Sequence, residues 1–110
     1  MPTAEVVIIG GGANGTSAAF HLASLGVRRA DRVALVLPNC PQFVIVELAA
    51  WKLGAIVAPL NPTYTERELE GPLRDHAIET VVTLTRFYGR VKSVQPRTPV
   101  KRVIATNIKQ

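Results

Sequence analysis

The chain has 110 residues, 47% hydrophobic and 19% charged, with a formal net charge of +5 and a pI near 10.0. That balance describes a folded globular chain and excludes intrinsic disorder, and the length allows one core with little room for a multi-site enzyme. The basic excess does not make a nucleic-acid binder: its arginines and lysines are scattered, and the aromatic residues, 5% of the chain, do not interleave with them as a stacking platform requires.

In chain order, the first element is the apolar run Val6, Val7, Ile8 and Ile9, read as a buried strand entering a glycine turn. Gly10, Gly12 and Gly15 have the G-x-G-x-x-G spacing, which permits a tight turn and close approach of a pyrophosphate to backbone. The candidate anion-binding residues are Gly10, Gly11, Gly12, Ala13, Asn14, Gly15 and Thr16, with N–H groups aimed at the ligand from a helix start. The helix over residues 17–25 stops at Gly26.

After a polar loop at residues 28–31, residues 32–37 read as a second strand ended by Pro38. A dinucleotide fold places a ribose-binding carboxylate at that end, about twenty residues beyond the glycines. Here stand Leu37, Pro38 and Asn39, so the phosphate half of a nucleotide site is present and the ribose half is absent. Asn39 or Cys40 caps the next helix, with Pro41 in its first turn, over residues 42–53, and Gly54 ends it. That helix is apolar nearly all round, which predicts burial on more than one side.

A third strand over residues 55–61 leads to the capping box formed by Thr65 and Glu68. The following helix runs to about His76, with Gly71 and Pro72 expected to kink or shorten it. Residues 80–85 form a β-branched fourth strand, residues 88–94 a short helix, and residues 101–106 a fifth strand; residues 107–110 read as a loose tail. Strands alternating with helices give an α/β fold. The expectation is one Rossmann-like domain over residues 1–110, a three-layer sandwich with a five-stranded parallel sheet. Its order is 3-2-1-4-5, or alternatively the flavodoxin-like 2-1-3-4-5, with the ligand at the carboxyl edge beside the glycine turn.

One cysteine, Cys40, excludes an internal disulfide and fits a reducing compartment. His21 and His76 stand apart without thiol or carboxylate companions, so no metal site is expected. Glu47 and Lys52 interrupt the longest apolar run, no membrane association is expected, and a cytoplasmic protein is the default. Asp31, Glu47, Asp75 and Glu79 read as loop or surface charges.

Two resemblances follow from these residues. Val7, Ile8, Ile9, Gly10, Gly11 and Gly12, with the helix ending in Gly26 and Val27, resemble the N-terminus of FAD-dependent amino-acid oxidases; over residues 1–27 this implies FAD with its pyrophosphate over the stretch from Gly12 to Gly15. From about Val27 the chain resembles the N-terminal portion of AMP-forming acyl-CoA and long-chain fatty-acid-CoA ligases. The residues that carry this are Asp31, Arg32 and Val33, then Leu37 with Pro38, Asn39, Cys40 and Pro41, then Gly54, Pro59, Asn61, Pro62 and Thr65. That family adenylates a carboxylate with ATP and Mg²⁺ and transfers it to coenzyme A, through motifs that lie beyond the portion resembled. The two meet between Ala23 and Val27, which reads as an engineered or recombined chimera.

The expected function is therefore a scaffold without complete catalytic machinery, retaining weak affinity for FAD or an adenine nucleotide at the glycine turn. The alternative is an inactive fragment of an AMP-forming acyl-CoA ligase or an FAD-dependent oxidoreductase. No catalytic residues are assigned, and the chain by itself is not expected to be an enzyme. Self-association through the apolar helix bearing Phe43, Trp51 and Leu53 is the expected partner mode.

Overall fold

The computed structural model describes residues 8–9 and 22–106. Four full strands, β2 (Arg32–Val36), β3 (Ile56–Leu60), β4 (Thr80–Leu84) and β5 (Arg102–Thr106), are joined at one edge by the two-residue β1 (Ile8–Ile9). Between them lie α1 (Pro41–Lys52), α2 (Glu66–Asp75) and α3 (Tyr88–Val94), with single 3₁₀ turns at Thr85–Phe87 and Gln95–Arg97. All the pairings are parallel, as crossover helices require.

The sheet order is β1-β5-β4-β2-β3, which overturns both expected orders. The glycine turn had placed the first strand at the centre, whereas β1 pairs only Ile8 with Ala105 and Ile9 with Thr106 at an edge. The central places go to strands buried on both faces. In β4 every residue is buried, and in β2 every residue after Arg32 is. The outer strand β3 is only partly buried and carries Pro59, which has no N–H to give a ladder, in keeping with an edge.

Alternate residues of the strands feed two cores. Val33, Leu35, Val82 and Ile104 pack with Val46, Ala49 and Ala50 of α1 and with Leu22 and Val27. On the opposite face Ala34, Val36, Val81 and Val103 pack with Leu69 and Leu73 of α2 and Val91 and Val94 of α3. Three layers, α/β/α, result as expected.

Three helix ends close with the same pair of backbone bonds. The Gly26 N–H donates to the Ala23 carbonyl at 3.0 Å and the Val27 N–H to Leu22 at 3.0 Å; Gly54 and Ala55 repeat this onto Trp51 and Ala50 at 2.9 Å each. The turn residue must adopt positive φ, +101° at Gly26 and +74° at Gly54, which glycine does without steric cost. At the end of α2 the same place falls to Ala77, φ 52°, with Ala77 bonding Arg74 at 3.1 Å and Ile78 bonding Leu73 at 3.0 Å.

The capping box at α2 is complete: Glu68 N–H donates to Thr65 Oγ1 at 3.2 Å, and Thr65 N–H donates to Glu68 Oε1 at 3.0 Å. The expected shortening at Gly71 and Pro72 does not occur, since α2 runs through Pro72 to Asp75. Pro72 removes one donor, but the buried Leu69 and Leu73 on either side anchor the helix to the sheet. Cys40 takes the N-cap position of α1 with no side-chain cap bond, and Pro41 opens the helix. Among the described residues no helix is long and apolar enough to cross a membrane.

Candidate functional site

From β2 the chain steps outward to β3, then α2 carries it back to β4 on the other flank of β2. This reversal makes the carboxyl ends of β2 and β4 the topological switch point, where open α/β sheets receive ligands. Leu37, Pro38, Asn39 and Cys40 follow β2 there, and the turn Thr85–Phe87 follows β4. The two strands are locked at this end by the buried Thr83, whose hydroxyl donates to the Val36 carbonyl at 3.0 Å.

The neighbouring loop after β3 is held from both sides. Asn61 Oδ1 accepts from the Thr63 N–H at 2.9 Å and from the Thr63 hydroxyl at 2.7 Å, a turn built on an asparagine side chain. The Arg90 guanidinium donates to the carbonyls of Pro62 at 3.1 Å and Tyr64 at 3.0 Å, clamping the loop to α3. Arg86 and Arg90 also lie over the Phe87 ring, 5.1 and 5.5 Å from its centroid, within cation–π range.

The segments that directly follow β2 and β4 at the switch point carry no carboxylate. The N-terminus of α1 opens onto it with no acidic residue in its first turn, and Arg86 is exposed beside the switch. Such an edge suits an anionic group of a ligand. The two carboxyls with shifted acidity sit on α2: Glu68 is held below the usual carboxylate range chiefly by the Thr65 N–H, and Glu70 chiefly by its hydrogen bond from Arg97. Both serve the helix. Asp31 accepts from the Arg28 N–H at 2.8 Å and Glu79 pairs with Lys101 at 3.3 Å, structural roles of the kind expected. Among the described residues no group of three or more His, Cys, Asp or Glu side chains could hold a metal ion.

The sequence-predicted site, Gly10, Gly11, Gly12, Ala13, Asn14, Gly15 and Thr16, lies outside the described residues. The end of β1 that leads to it is on the carboxyl edge but is separated from the switch point by β5 and β4. Of the residues that organise the switch, Thr83 and Arg90 were not singled out from sequence, and Asn61 was named only among those that carry the ligase resemblance. Asn61 before Pro62 was a visible turn signal; the partners of Thr83 and Arg90 are distant in the chain and left none.

These features define an open parallel α/β domain with a topological switch point at its carboxyl edge. The chain belongs to the AMP-binding enzyme family, which it matches over residues 14–109. It is 39% identical over 84 residues to the long-chain-fatty-acid–CoA ligase of Bacillus subtilis, covering 76% of this chain and 15% of that protein. It is 37% identical over 82 residues to the crotonobetaine/carnitine–CoA ligase of Salmonella paratyphi A, covering 74% of this chain and 16% of that protein. The structure resembles that of a long-chain-fatty-acid–CoA ligase from Archaeoglobus fulgidus with a TM-score of 0.79 and 27% identity, over 90% of this chain and 24% of that one. The chain thus spans about one-sixth of the length of the curated relatives it matches.

Three expectations change. The chain by itself was not expected to be an enzyme, and the family to which it belongs is enzymatic. A join between Ala23 and Val27 is not supported, because the family match begins at residue 14, ahead of it, and nothing in the comparisons supports a flavoprotein segment. Of the two cofactor expectations, the family backs the adenine nucleotide and not FAD.

Proposed function

We propose that this chain supplies the leading α/β sheet of an AMP-forming acyl–CoA ligase acting in the cytoplasm. In such an enzyme a carboxylate oxygen attacks the α-phosphorus of ATP with loss of pyrophosphate; the thiol of coenzyme A then attacks the acyl carbon and AMP leaves. The residues described here are the framework for that chemistry. β2 and β4 fix the switch point through Thr83, Asn61 and Arg90 set the loop after β3, and the exposed Arg86 beside the acid-free start of α1 is suited to meet an anionic group. The observation that carries the reading is the 39% identity over 84 residues with a long-chain ligase. A ligase for a different acid matches nearly as well, at 37%, which supports placing the contacts that select the acyl group outside this segment.

The test is a graft: residues 28–106 replace the matching segment of the Bacillus subtilis ligase, and acyl-CoA formation from a long-chain fatty acid, ATP and coenzyme A is measured. An active hybrid is expected. A hybrid that folds and remains dead contradicts the reading. An adenine-nucleotide site at Gly10, Gly12 and Gly15 is a separable part of this proposal. Amide shifts confined to residues 10–16 on adding ADP support it, and their absence at saturating ADP dismisses it.

A further inference from the structure

Helix α1 has two faces of different fate. Val46, Ala49 and Ala50 are fully buried against the sheet, whereas Val44, Leu48 and Trp51, spaced i, i+4 and i+7, form one outward ridge with exposures of 53, 45 and 57%. We propose that this ridge is the seat of the remaining part of an AMP-binding enzyme, which docks an apolar face of its own onto α1. The proposal rests on the ligase reading above and names the partner surface that reading needs.

Size decides between occupants. The three side chains present roughly 300 Å² of apolar surface. A second copy docking through the same ridge would bury about 600 Å² in total, the scale of a lattice contact and short of the ~1,200 Å² at which stable interfaces begin. A larger body can cover the ridge together with the free edge of β3, where Ile56 is 50% exposed. Such a body is what the relatives have, since this chain matches only 15% of the length of one and 16% of another. Polar rims are supplied by Glu47 and Lys52, which flank the ridge in the helix.

Trp51 is the single tryptophan, so 5-fluorotryptophan places one ¹⁹F resonance at the centre of the question. The label is read in this chain alone and in the hybrid ligase that carries residues 28–106, with Trp51→Phe assigning its resonance. In the hybrid the resonance is expected to shift from its place in the free chain and to lose its solvent isotope effect. Leu48→Glu should return that isotope effect, and Arg67→Glu on the exposed side of α2 should leave the resonance unchanged. A folded hybrid in which Trp51 still meets water overturns the proposal, whereas the activity of the hybrid decides the ligase reading separately. A resonance that moves with the concentration of this chain alone overturns the proposal in favour of a second copy.

Discussion

Helices α1 and α2 pack on opposite faces of one sheet and solve the problem of an outer surface differently. α2 buries Leu69 and Leu73 and turns charges outward. Glu70 bridges to Arg74 at 3.2 Å and to Arg97 at 2.6 Å, and Thr65 and Glu68 cap the first turn. α1 has no side-chain cap and no acid in its first turn, and its outer ridge is apolar. A helix of the first kind is finished by water. A helix of the second kind leaves an apolar ridge in water, and the contrast marks the side of the sheet on which the docking proposed above rests.

The comparison breaks most visibly in the cores. Leu73→Ala, at a site with no exposure, should cost ~2–5 kcal/mol in urea unfolding. A loss under 1 kcal/mol would mean that α2 is not anchored as described. The next effect is at the caps. Thr65→Ala should cost ~1 kcal/mol, and Cys40→Ala, which removes no cap bond, should stay within about 0.5 kcal/mol of zero. Equal losses would erase the difference between the two helices.

Ala77→Gly follows, because Ala77 holds the left-handed place that Gly26 and Gly54 fill elsewhere. It should raise stability by roughly 0.5–1 kcal/mol, visible as a higher unfolding midpoint. The smallest effect is in acid. Glu68 and Glu70 are both held below the ordinary carboxylate value of 4.5. Their contribution is therefore present above about pH 4.5 and is lost as pH falls through the lowered values. Thermal midpoints between pH 6 and pH 3 should fall less steeply for Thr65→Ala than for the unaltered chain; identical slopes would remove Glu68 from the account.

Much of the fold was legible. The continuous apolar run through Val33 and Leu35, the β-branched Val81 and Val82, the stops at Gly26 and Gly54 and the capping box are local signals, and each produced its element within a residue or two. Strand order was not legible, because it depends on pairings such as Val33 with Thr80 and Val81 with Val103, which no local pattern encodes. Giving weight to the double-sided burial implied by residues 32–37 would have moved β2 to the centre. The expectation of a central first strand also drew attention to Gly10 and Gly12, which lie outside the described residues, and away from the switch between β2 and β4. The all-round apolarity of α1 was read as burial on more than one side, whereas among the described residues only the face bearing Val46, Ala49 and Ala50 is buried and the ridge of Val44, Leu48 and Trp51 is exposed.

The central claim is that α1 is shaped for a cover supplied by the rest of an AMP-binding enzyme. The most direct measurement is the stability cost of Leu48→Ala in the grafted ligase set beside its cost in this chain alone. The account predicts ~2 kcal/mol or more in the graft, the cost of truncating a buried leucine, and a few tenths in the free chain, where Leu48 is 45% exposed. Equally small costs in both would show that nothing covers the ridge and would contradict it.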